Sequence, residues 1–260
     1  MTKNFGLHNL KLSKVKLLSF IFGLFVLTIT TIFTFIDIFS FDRAGVKPLR
    51  MQVVFLNLSS LFYFTYQSNF LLGTALVCFG LYNNEWIKKA LFGTVTLITI
   101  TFIIYWTLIA FTSDWKNVYQ SINSLITHAI NPILGFIILI LVRKQITINN
   151  KVLFYIGLYV FLYFVFMLVL YFSTYAYYKG TLNEGVVVYT FGNFLKPFFY
   201  KGGNIGVVVV LDILMFVLAF AIPLGLSLFW KAVLRIKYDK ETCYIKDFKR
   251  WRKSQKSKRS

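Results

Sequence analysis

Residues 124 to 142 read Ser-Leu-Ile-Thr-His-Ala-Ile-Asn-Pro-Ile-Leu-Gly-Phe-Ile-Ile-Leu-Ile-Leu-Val. The stretch holds no acid, lysine or arginine. Wound as a helix at about 1.5 Å per residue, it matches the roughly 30 Å hydrocarbon core of a bilayer. It therefore reads as a membrane span, and that reading puts His128 inside hydrocarbon. A histidine there loses its solvation and needs a partner. Asn131, Pro132 and Gly135 follow it at i+3, i+4 and i+7, on the same helical face. Pro132 has no N–H to offer the carbonyl of His128, four residues back. The helix is expected to bend at the histidine, and the freed carbonyl must find another donor because lipid supplies none.

The rest of the chain has the same character. Of its 260 residues, 58% are hydrophobic, and the mean hydropathy is +0.69. A soluble domain of this size could not hide so much apolar surface, so the class is integral membrane. Six runs are long enough to cross, at roughly 17–38, 54–80, 90–112, 124–142, 152–176 and 205–230. The expected fold is an all-α polytopic membrane helix bundle with six transmembrane helices. Residues 1–16 form a basic N-terminus, 17–230 the spanning domain and 231–260 a polybasic tail. The first run begins like a signal peptide, after Lys11, Lys14 and Lys16. It is too long for a secretory segment and lacks a small-x-small cleavage pattern, so it reads as a retained span.

Lysine and arginine set the orientation. With the N-terminus in the cytoplasm, 21 of the 28 basic residues fall on the inner side and seven on the outer. Positive residues favour the inside, so both termini are expected in the cytoplasm, with the protein multi-pass in the cell membrane. The tail from Lys231 onward carries most of this bias. Its Lys249-Arg250-Trp251-Arg252-Lys253 run suits anionic lipid headgroups at about 1 kcal/mol per charge, and no nucleic-acid partner is expected. Cys78 near the inner end of span two and Cys243 in the tail stay reduced, and neither has metal-ligand spacing to a histidine. No metal site follows. There is no Walker motif or glycine-rich dinucleotide loop, and no cofactor is expected.

Span two contains Tyr63-Phe64-Thr65-Tyr66-Gln67-Ser68-Asn69. Thr65, Ser68 and Asn69 stand at i, i+3 and i+4 and share a face. Such groups commonly hold membrane helices together. Depth suggests more. Spans two, four and six run from outside to inside, and Thr65, His128 and Asp212 each fall in the first half of their span. A hydroxyl, an imidazole and an acid at one level make a candidate site. Asp37, at the outer end of span one, reads as an interfacial carboxylate wetted by headgroup water. Tyr171, Tyr175 and Tyr178 read as an interfacial belt. Tyr105 and Trp106 read as packing or interface residues, or as the lining of an acyl pocket. The outer connection at about 179–204 is long, glycine-rich and aromatic, as functional lids often are.

The order of these features resembles the androgen-induced-gene family of six-span membrane proteins and its bacterial relatives. The resemblance rests on Thr65 in Tyr63-Phe64-Thr65 with Gln67-Ser68-Asn69, and on His128 followed by Asn131-Pro132. Lys196-Pro197-Phe198-Phe199 with Gly202-Gly203 is a weaker echo. Bacterial relatives carry tyrosine-proline pairs in the outer loop, where this chain has Tyr189-Thr190. The resemblance implies a threonine hydrolase that cleaves fatty-acyl esters of lipids, with Thr65 as nucleophile and His128 as general base. The residues support that chemistry independently: a neutral imidazole can take a hydroxyl proton and return it to a leaving alkoxide. Asn69, Ser68 or Gln67 are expected to donate to the oxyanion, and Asp212 or Asn131 to orient His128. The alternatives are a carrier or channel-like protein that binds an ion or solute at the same cluster, and a structural or lipid-binding bundle. A threonine–histidine pair within hydrogen-bonding reach favours the first reading.

Overall fold

The computed structural model describes residues 3–39, 51–82, 84–113, 115–180 and 184–239. Arg43 and Lys47, Cys243 and the Lys249–Lys253 run lie outside the described residues. The chain is a bundle of helices. We label the principal ones α1 (Lys3–Phe39), α2 (Phe64–Leu81), α3 (Glu85–Ile109), α4 (Val118–Gln145), α5 (Asn150–Tyr178) and α6 (Ile205–Leu234). All but α2 contain a stretch long and apolar enough to cross a membrane.

The second expected span departs from the sequence reading. Residues 54–63 do not continue one helix. A single turn, Gln52–Phe55, gives way to a 3-10 segment, Leu56–Phe62, through a positive φ of 49° at Leu56. The backbone is extended at Tyr63, and only then does α2 begin. Its 18 residues reach about 27 Å, short of the usual span. The polar run Tyr63–Asn69 therefore lies at the start of a helix, not along the middle of one.

Helices α1 and α2 pack so closely that only glycine fits between them. A Cβ on Gly23 would meet the Val77 nitrogen at 2.6 Å, and one on Gly80 would meet the Phe20 Cβ at 2.6 Å. Without a hydrophobic force between helices in lipid, this close approach is a main source of cohesion. Ser19 adds a hydrogen bond across the pair, to the Leu76 carbonyl at 2.9 Å. The shared core beneath contains Leu72, Leu76, Phe79, Phe92, Ile98, Ile138 and Leu139, all fully buried. Helix α6 is apolar nearly all round and exposes Val209, Val210, Ile213 and Val217. Trp230 ties it to α3 through Thr99, at 2.9 Å.

A two-residue parallel pairing, Thr147–Ile148 with Lys237–Tyr238, joins the ends of α4 and α6 on one side of the bundle. Asp37 is clasped between helices: Tyr66 donates to one carboxylate oxygen at 2.6 Å and Tyr119 to the other at 2.8 Å. This knot links α1, α2 and α4. Tyr171 leaves the expected belt. It is 1% exposed and packs against Phe194 of the loop between α5 and α6.

Candidate active site

Pro132 and the residues around it shape α4 as the chain chemistry requires. The helix changes to a π turn over Ile126–Ile130, in which the Asn131 amide reaches back to the Ile126 carbonyl. The carbonyl of His128, denied its usual donor by Pro132, accepts from the Trp106 indole at 2.9 Å. Helix α3 has its own π turn over Tyr105–Ile109. Such turns add a residue to a helix and often mark functional sites. Here both face one place, and the Tyr105 ring stacks on the His128 imidazole with centroids 3.8 Å apart.

The imidazole is oriented at both nitrogens. Nδ1 lies 3.0 Å from the Ser124 carbonyl, which can only accept, so Nδ1 carries the proton. Thr127 Oγ1, also 3.0 Å from Nδ1, gives its own proton to the Asn123 carbonyl and so accepts as well. Nε2 is left with a free lone pair. It points to Thr65 Oγ1 at 3.2 Å. A backbone carbonyl thus fixes the tautomer, the role usually held by a carboxylate beside a catalytic histidine.

Thr65 stands in the first turn of α2, and the neighbouring polar residues hold that turn against α4. Asn69 Nδ2 donates to the Thr65 carbonyl at 2.8 Å and to the Thr127 carbonyl at 3.1 Å. Asn131 Nδ2 donates to Asn69 Oδ1 at 2.7 Å. Ser68 donates to the Thr65 carbonyl and meets Thr101 Oγ1 of α3 at 2.7 Å. Gln67 turns outward to Tyr159 and the Leu61 carbonyl. The Ser68 and Asn69 protons, expected at an oxyanion, are committed to framework bonds, and Gln67 Nε2 gives one of its two to the Leu61 carbonyl.

Asp212 is not brought to the pair. It lies on α6 near Tyr171, outside the cavity that Thr65 and His128 line, and one of its oxygens is buried without a hydrogen-bond partner. Helix α6 packs on α5, so equal depth did not mean a shared site. Asp212→Asn is expected to leave any activity of the Thr65–His128 pair within about two-fold, as for changes remote from a site. A loss of more than ten-fold on a measured rate would put the acid back in the mechanism.

The pair lines a narrow, partly open cavity of about 40 Å³. Thr65, His128, Tyr163 and Tyr189 make its polar end. Ile100, Ile104, Val160, Phe164 and Met167, from α3 and α5, make the apolar walls. His128 is the only ionisable residue of ordinary pH range in the lining.

Tyr189 is the residue the sequence did not single out for chemistry. It belongs to the loop between α5 and α6 and lines the cavity with Thr65, His128 and Tyr163, its ring edge-on to Tyr63 with centroids 6.1 Å apart. Burial pushes the Tyr189 phenol up to about 12, so it holds its proton at neutral pH. The loop is pinned under the bundle. Val186 donates to Thr174 at 2.9 Å, Phe194 is 1% exposed, and the Gly192 amide closes a turn on the Tyr189 carbonyl at 2.8 Å. The available signal was the apolar run Val186-Val187-Val188-Tyr189, unusual for a loop in water. No protein-family model, curated protein or solved structure matches the chain.

Proposed function

We propose that this protein is an integral membrane hydrolase of the androgen-induced-gene type, cleaving a fatty-acyl ester with Thr65 as nucleophile and His128 as general base. The observation that carries the reading is the 3.2 Å contact between Thr65 Oγ1 and a histidine nitrogen whose lone pair is free to receive a proton. The apolar walls leading from that pair support an acyl chain as the bound group.

In the first half-reaction Thr65 Oγ1 bonds to the ester carbonyl carbon while its proton passes to His128 Nε2. The tetrahedral intermediate then expels the alkoxide, which takes the proton from Nε2 and leaves as an alcohol. In the second half-reaction a water gives its proton to Nε2 and attacks the acyl-threonine. Collapse returns the proton to Thr65 Oγ1 and releases the acid. The Ser124 carbonyl steadies the imidazolium that forms in each half, through the Nδ1 proton.

The test is reaction of the purified protein with a fluorophosphonate probe and a p-nitrophenyl acyl ester, wild type beside Thr65→Ala. Threonine-dependent turnover supports the reading. Turnover or labelling that survives Thr65→Ala assigns the polar cluster to helix cohesion or solute binding.

The same proposal has six membrane crossings, with α2 as the short one, and both termini in the cytoplasm. The basic-residue bias supports it. In a chain whose Cys78 and Cys243 are replaced by serine, Lys116→Cys is expected to react with an impermeant maleimide in intact cells and Lys240→Cys to be protected. The reverse pattern overturns the orientation.

A further inference from the structure

We propose that the Tyr189 hydroxyl is the donor that receives the oxyanion when Thr65 adds to the carbonyl, making Tyr189 a third catalytic residue supplied by the outer loop. The inference rests on the hydrolase reading above and deepens it. The argument is one of hydrogen-bond capacity. Each hydroxyl, indole N–H or amide around the pair has a limited number of protons, and the fold has already placed most of them.

Ser68 gives its single proton to the Thr65 carbonyl, so Thr101 gives its own to Ser68. Asn69 gives both amide protons to main-chain carbonyls. Trp106 gives its indole proton to the His128 carbonyl. Tyr105 donates to Ser113 at 3.2 Å, and Tyr163 to the Phe62 carbonyl at 2.9 Å. Tyr189 differs from all of these: among the described residues no framework carbonyl takes its proton, and it lines the cavity with Thr65 and Tyr163. Its proton can therefore turn to a new acceptor without leaving a framework carbonyl bare.

Position agrees with this. Once Thr65 Oγ1 has bonded to the carbonyl carbon, the oxyanion is one carbon away from Oγ1. A donor that lines the same narrow cavity as Oγ1 stands on the side where an oxyanion donor is needed. The electron pair of the carbonyl π bond moves to oxygen as the C–Oγ1 bond forms. The oxyanion accepts from Tyr189, and the pair returns as the alkoxide departs. The phenol keeps its proton throughout. The donor is also rigid, as such donors need to be. The Tyr189 ring stacks on Phe191 with centroids 5.5 Å apart, and the Gly192 turn fixes its backbone.

Tyr189→Phe removes one oxygen and keeps the ring. With a p-nitrophenyl acyl ester, it is expected to lower kcat about 100-fold and leave KM within about three-fold. Affinity for a trifluoromethyl ketone that adds to Thr65 is expected to fall by a similar factor, because that adduct carries the same oxyanion. A packing role would lower thermal stability and spare that affinity. Unchanged kcat in Tyr189→Phe, beside an inactive Thr65→Ala, overturns this proposal and leaves the hydrolase reading standing. A fall in kcat with unchanged ketone affinity also overturns it. A wild-type protein that neither turns over the ester nor reacts with a fluorophosphonate removes both.

Discussion

Thr65→Ala and His128→Ala are each expected to reduce ester hydrolysis by at least about 10³-fold, with the double variant no worse than either alone. The reason is that nucleophile and base act on one proton. Without Oγ1 the imidazole has nothing to deprotonate. Without Nε2 the threonine hydroxyl, with an alcohol's acidity, presents almost no alkoxide at neutral pH. The two losses therefore describe the same missing step, and their free energies do not add. Thr65→Ser is the informative control. It keeps the oxygen but loses the methyl group that restricts rotation about χ1. It should retain measurable turnover, below wild type. His128→Ala also removes the ring stacked on Tyr105, so each variant should first be shown to elute as a single species from a sizing column. Additive losses in the double variant, or wild-type rates in either single one, would mean that the 3.2 Å contact is helix cohesion only.

The parts of this arrangement legible in the sequence are those that depend on local chemistry. Pro132 strips a donor from the carbonyl four residues earlier whatever the rest of the fold does, so the irregularity at His128 could be read directly. The shared face of Thr65, Ser68 and Asn69 follows from helical periodicity alone. Lengths of apolar runs located the five long helices, although α1 and α4 begin 14 and 6 residues before their apolar runs. Other features depend on which helix packs against which, and periodicity is silent on that. Asp212, read from the sequence at the depth of His128, lies near Tyr171 and outside the cavity of the pair. Tyr189 joins Thr65 at one cavity across more than 120 positions of chain, from a segment whose composition alone does not say whether it lies over the bundle or away from it. The break before α2 was hidden for a different reason. Leu56, Leu58 and Leu61 are as apolar as any span, but their backbone turns as a 3-10 segment and the side chains stay exposed. The donor assignment also needed coordinates. Ser68 and Asn69 have the right groups, and only their partners show that those protons hold the backbone.

The asparagine pair tests that last point from the side of stability. Asn69 is fully buried and makes three bonds: to the carbonyls of Thr65 and Thr127, and from Asn131. Asn69→Ala leaves the Thr127 carbonyl and one Asn131 amide group without side-chain partners, and leaves the Thr65 carbonyl with Ser68 as its side-chain donor, in a region that water and lipid do not satisfy. A loss of about 1–3 kcal/mol is expected, read as a lower unfolding midpoint in detergent. The larger effect should be on rate. Asn69 is the link that ties the first turn of α2 to the π turn of α4, and the Thr65–His128 separation rests on that link. A shift of about 1 Å in such a pair can cost about 100-fold. Asn131→Ala should be milder in both respects. It removes one bond to Asn69, and the Asn131 side-chain oxygen Oδ1 is already buried without a hydrogen-bond partner. Because the two side chains touch, their effects should overlap, leaving the double variant close to Asn69→Ala. If Asn69→Ala unfolds at the wild-type temperature and turns over ester at the wild-type rate, the asparagines do not set the geometry of the pair. The alignment of α2 with α4 would then have to come from the apolar packing of Leu72 against Gly135.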